Sequence, residues 1–190
     1  YEANPRIVIA CFKLLRALES SLSTMMHLKK QQRFRLIPNT VSRATGLHSD
    51  ELDVIAEGAH TLWAANTLGG KIAQERVKNS GYLRFVKSAL TDKDIEDKDP
   101  RGTYRKKILG MLLSMAHENK TMQQFLVDEG FRALLRRTLQ EKPGLSFGGE
   151  FASLRDWLKD EYDAPSFAPD ADKPQNPNRG ARDKQDAQGT

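Results

Sequence analysis

Cysteine is almost missing from this chain: Cys11 stands alone among 190 residues. One thiol excludes an internal disulfide and any zinc site built on cysteine ligands, and it sets a reduced, intracellular environment, cytoplasmic or nuclear, as the expectation. Long apolar runs are lacking too. A membrane span needs about 18 or more uncharged apolar residues, and the opening stretch YEANPRIVIACFKLLRALESS is interrupted by Lys13 and Arg16. Neither a span nor a secretory signal fits it. The first residue is Tyr1 rather than methionine, so a fragment of a longer protein or a processed product is expected.

Converging catalytic groups are equally scarce. His27, His48, His60 and His117 are scattered, with no His-Glu-x-x-His pair among them, and each reads as a surface or helix-end residue. Gly69-Gly70-Lys71 lacks the spacing of a phosphate loop, and the glycine-rich GLSFGGE at 144–150 follows no strand. A nucleophile elbow sets its serine on a turn between a strand and a helix, and no strand is expected here. The expectation is therefore no enzyme: no catalytic residue, no metal, no cofactor and no small-molecule substrate.

What the chain does have is basic charge, unevenly placed. Residues 160–190 hold seven acids and four bases, leaving 26 bases and 18 acids in the first 159. A basic body favours acidic partners, whether peptide, phosphate-bearing lipid surface or nucleic acid, although solvated helix faces produce the same count. From 163 the text is DAPSFAPDADKPQNPNRGARDKQDAQGT, rich in proline and charge, with Phe167 its only large apolar side chain. It cannot bury enough surface to offset its ordering entropy, so 163–190 is expected to be a disordered tail.

Upstream of the tail, apolar residues recur at helical spacing and no segment alternates as a strand would. Breaks are signalled at Pro38, Gly46, Gly69-Gly70, Gly81, Asp99-Pro100, Gly130 and Pro143-Gly144, with 91–100 an exposed loop. The pattern repeats. NSGYLRFVKSAL (79–90) laid over DEGFRALLRRTL (128–139) matches Gly81 to Gly130, Phe85 to Leu134, Val86 to Leu135 and Leu90 to Leu139, an offset of 49 residues. The same shift backwards reaches Leu36, Ile37 and Val41, and it relates Leu14 to Trp63 and Leu112, Leu15 to Ala64 and Leu113, and Leu28 to Val77 and Leu126. Three copies follow, near 4–48, 49–98 and 99–147. A fourth begins at 150, where Phe151, Leu154, Trp157 and Leu158 form one broad apolar face able to cap the third.

HENKTMQQFLVDEGFRALLRRTL (117–139) resembles an armadillo repeat: an asparagine before a short helix, a glycine at a sharp turn, then a second apolar helix. AEGAHTLWAANTLGGKIAQERVKNSGYLRFVKSAL (56–90) is similar, and 4–48 more weakly so, with Gln32 in place of the turn glycine. The resemblance implies an all-α, right-handed α-solenoid of about three armadillo-like repeats plus a capping helix over 1–162. A single unit cannot bury its own apolar face, so copies stack. The function implied is a scaffold for another protein. In this family an asparagine on the long groove helix holds an extended peptide; here Arg16, Ala65 and Ser114 fall at that place, and Asn66 fits only with a slip of one residue. Asn66 is expected instead to hydrogen-bond at the helix end before Gly69.

Basic residues cluster at Lys29, Lys30, Arg33 and Arg35, at Arg84 and Lys87, at Arg105, Lys106 and Lys107, and at Arg136 and Arg137. The last pair suits a helix C-terminus; Lys106 and Lys107, near a helix start, have no such explanation. Candidate partner-binding residues are therefore Lys13, Arg16, Asn66, Lys106, Lys107 and Ser114, facing an acidic or extended segment of another protein, while Trp63 is expected in the core. A membrane surface is a further candidate for the same bases.

One rival interpretation remains. TVSRATGLHSDEL (40–52) has the look of a helix-turn-helix within 34–58, with Val41, Gly46, Leu52 and Ile55 at apolar and turn positions. Its reading helix would carry Asp50, Glu51, Asp53 and Glu57, four carboxylates against phosphate. This disfavours nucleic acid and favours a seam between copies one and two, with Ser-Asp-Glu-Leu as the acidic, capped start of the next long helix.

Overall fold

Asn4 and Pro5 open the first helix together: the Asn4 side chain accepts from the Arg6 amide at 2.9 Å, and proline, with no N–H to satisfy, occupies the first turn of α1 (Pro5–Ser20). The computed structural model describes residues 4–21 and 36–141 together with Leu154, Trp157 and Leu158. The chain divides after Asp160, and Glu161–Thr190 lies outside the described residues, as do the expected tail and the cluster Lys29, Lys30, Arg33 and Arg35. Every regular element among the described residues is a helix.

Pro38 acts as it does in α1, sitting in the first turn of α2 (Ile37–Gly46) rather than breaking a helix. A turn over 47–50 leads to α3 (Leu52–Asn79), which is long but not continuous. Gly70, at φ 54° and ψ −142°, kinks it at the place the Gly-Gly pair marked. The expected cap shifts: Glu51 occupies the cap position without a side-chain bond, and Asp53 supplies the first-turn carboxylate, accepting from the Val54 amide at 2.8 Å.

Downstream come α4 (Leu83–Thr91), a four-residue α5 (Ile95–Lys98), α6 (Thr103–Ala116), α7 (Lys120–Asp128) and α8 (Phe131–Glu141). Gly81 precedes α4 and Gly130 precedes α8, at φ 76° and 78°. A left-handed residue reverses the chain between helices, and glycine takes it without a Cβ clash. Asn119 caps α7 by accepting from the Met122 amide at 3.2 Å. The segment 91–100 is not simply an exposed loop. It contains α5, and Asp99 is buried with Arg105, whose guanidinium also pairs with Glu96 and donates to the Asp99 carbonyl at 2.6 Å.

The core is organised about α3, which packs against α1, α2, α4 and, most extensively, α6. Hydrogen bonds across these junctions join residues nearly one repeat apart. Thr61 donates to the Phe12 carbonyl, 49 residues away, and Asn66 to the Ser114 hydroxyl, 48 away. The equivalent residues Phe85, Val86, Leu90, Ile37, Val41 and Leu135 are all buried. Two others are exposed: Leu36 at 65% and Leu14 at 61%. Leu36 precedes the first turn of α2, and Leu14 shares with Ile7 and Leu18 the side of α1 turned away from α3.

Past α8, Leu154 is buried in the core, with Trp157 and Leu158 packed against it. Arg132 donates to the Trp157 carbonyl at 3.2 Å and Arg136 to that of Leu158 at 3.0 Å. These three residues are the described part of the expected capping face.

Candidate functional site

Glu57 lies in the first half of α3, within a stretch, Val54 to Ala59, that is buried without interruption. An ionised carboxylate in such a place needs cations or hydrogen bonds, and the neighbouring long helices supply both. Arg16 of α1 donates from Nη1 to Glu57 Oε2 at 2.9 Å, and Lys107 of α6 donates to Oε1 at 2.5 Å. The Glu57 side chain is 8% exposed, those of Arg16 and Lys107 28% and 20%. One carboxylate thus gathers three helices at a point where its cations still reach solvent.

His60, one turn along α3, completes the cluster. Its Nδ1 lies 2.9 Å from Arg16 Nη1. A guanidinium has only donors, so Nδ1 accepts and the ring proton sits on Nε2. Burial and the charge of Arg16, with a smaller push from Lys107, hold the imidazole below its usual pKa against the opposing pull of Glu57. Burial would raise the Glu57 carboxyl, but hydrogen bonds and charge from Lys107 and Arg16 outweigh it and hold the group below the carboxylate range. With Glu57 ionised and His60 neutral, two cations face one anion.

The donors are not exhausted by these bonds. Arg16 carries N–H groups on Nε and Nη2 in addition to the engaged Nη1, and Lys107 has three donors of which one reaches Glu57. The two cations bind different oxygens of the same carboxylate, so they lie within the span of one carboxylate and two hydrogen bonds. Lys13, one turn before Arg16, and Lys106, beside Lys107, are exposed.

The other sequence candidates are placed differently. Asn66 is buried and, in place of the expected bond at its own helix end, donates across to Ser114 at 2.9 Å because α6 packs on that side of α3. Ser114 is buried as well; its hydroxyl donates to the Met111 carbonyl and its own carbonyl accepts from Gln74. Arg105, grouped above with the surface bases, is 1% exposed and serves the Glu96 and Asp99 pairs. Lys87 donates to the Glu129 carbonyl and Arg137 to that of Leu90, so these bases link α4 with α8 and the turn before it. Trp63 is half-buried and packs over Gly110.

Glu57 and His60 were missed as members of a site. The signal was present: Glu57 and Lys107 are 50 residues apart, one more than the repeat offset, and His60 follows Glu57 at helical spacing.

Among the described residues no group of three or more His, Cys, Asp or Glu is placed to hold a metal ion, and no helix is long and apolar enough to cross a membrane. Comparison of the chain with protein-family models, curated proteins and solved structures finds no match.

Proposed function

We propose that this chain is a non-enzymatic interaction scaffold, a segment of armadillo-like solenoid whose long helices α1, α3 and α6 present a basic surface to an acidic segment of another protein. One observation carries the proposal: Arg16 and Lys107, from the two outer helices of that trio, meet on Glu57 of the middle one and leave an excess positive charge within reach of solvent. The repeat offset, the left-handed glycines at 81 and 130 and the near-49-residue spacing of the cross-helix bonds support the solenoid part. Charge complementarity supports the acidic partner.

The helix-turn-helix alternative fares worse. A reading helix needs a face free to enter the major groove, and residues 54–59 of α3 are buried throughout. The test is a titration of the full chain with a labelled oligoglutamate peptide, beside random duplex DNA and phosphatidylserine vesicles. Salt-sensitive peptide binding stronger than binding to the other two is expected; tighter duplex binding would replace the scaffold with a nucleic-acid binder, and tighter vesicle binding with a membrane adaptor.

A further inference from the structure

The geometry points to a carboxylate-binding anchor formed by Arg16 and Lys107, in which Glu57 is the built-in counter-ion and a carboxylate of an acidic protein segment is the external ligand. This rests on the scaffold proposed above and specifies where the partner is held.

Three observations lead to it. First, the two cations converge from helices that flank α3 and bind opposite oxygens of one carboxyl group, at 2.9 and 2.5 Å. Their separation is already matched to a carboxylate. Second, the charges do not cancel. Glu57 neutralises one cation, and His60 adds none, because its Nδ1 accepts from Arg16. Third, the remaining N–H groups of Arg16 and Lys107 belong to side chains that stay partly exposed while Glu57 beneath them is nearly enclosed. A second carboxylate approaching from solvent meets donors, one net positive charge and no desolvated competitor on its own side.

The groups facing the anchor can be named helix by helix: Arg16 from α1, Glu57 and His60 from α3, and Lys107 from α6, with Tyr104 under the Lys107 ammonium at 5.9 Å. Glu57 therefore has two effects. It holds the cations in register, and its charge opposes that of the incoming ligand. Replacing it by glutamine keeps an acceptor oxygen for register and removes the opposition.

The experiment is binding of labelled oligoglutamate to the full chain at low salt, for the native protein and for Arg16→Gln, Lys107→Gln, Glu57→Gln and Lys120→Gln, with thermal melts run on each. Lys120 is exposed on α7 and serves as the charge-matched control. R16Q and K107Q should each weaken binding about tenfold, the scale of losing a charge-assisted hydrogen bond. E57Q should tighten it about threefold or more, since local repulsion is relieved, and K120Q should change it by less than about twofold. Peptide binding that R16Q and K107Q leave unchanged would move the contact elsewhere on the basic surface, overturning the anchor and leaving the scaffold intact. Weakened binding by E57Q with a native-like melt would overturn the competing role of Glu57. No peptide binding by the native chain removes the anchor and the scaffold together. Should E57Q fail to fold, the R16Q and K107Q results still decide where the ligand is held.

Discussion

The ring of Trp63 lies directly over Gly110, so close that a Cβ at 110 would overlap it. Gly110 is buried on α6 and Trp63 sits on α3, so the missing side chain is what lets the two longest-packed helices approach. Gly110→Ala gains helix propensity of up to about 1 kcal/mol but forces the indole out of place, at a cost of about 1–3 kcal/mol. The expected outcome in urea unfolding is net destabilisation. A more stable variant would mean that the ring yields without loss.

Gly46 should behave differently from Gly81 and Gly130. Gly81 and Gly130 have left-handed φ with open space around them, so alanine there meets backbone strain alone, about 1–2 kcal/mol. Gly46 ends α2 at an ordinary φ, and a Cβ would make normal contact with Phe85 at 3.5 Å. G81A and G130A should lower the melting temperature while G46A leaves it unchanged or raises it. Equal losses at all three would assign the effect to packing, not to φ.

Acid should weaken the fold in two stages. His60 has a folded pKa below its unfolded value, so the unfolded chain takes up the proton first, and stability intact above about pH 6.5 declines as pH falls below it. Glu57, also depressed, contributes stability that is present above about pH 4.3 and is lost on further acidification. Comparing His60→Gln with the native chain isolates the first stage. The decline between about pH 6.5 and 5 should be shallower in H60Q; identical slopes would show that the imidazole titrates as it does in the unfolded chain.

Much of the helical outline was legible because it rests on local chemistry. Gly81, Gly130 and Asn119 announce turns and a cap through conformational and hydrogen-bonding preferences that neighbours scarcely alter. The kink at Gly70 belongs to the same class. Burial was legible where the repeat supplied a partner, as at Val41, Val86 and Leu135, and misled where the equivalent position had none, as at Leu14 and Leu36.

The candidate site was harder to see, because charge alone does not say where a long side chain ends. Arg105 and Lys107 are two positions apart on one helix; Arg105 turns inward to Asp99, and Lys107 crosses to Glu57. Asn66 and Ser114 likewise read as surface groups until α6 is laid against α3. Each of these depends on which helix lies opposite, a tertiary fact that only the repeat offset hinted at.

The bond from Thr61 to the Phe12 carbonyl spans 49 residues, and that from Asn66 to Ser114 spans 48. On the ribosome, chain grows at about 5–20 residues per second, so α1 waits on the order of several seconds before the helix that covers Phe12 has emerged. The interval then recurs for α3, whose side toward α6 stays bare until Gly110 and Ser114 are made. Synthesis of this fold is thus a succession of delays of similar length, each exposing one apolar helix side to the holding factors that meet nascent chains.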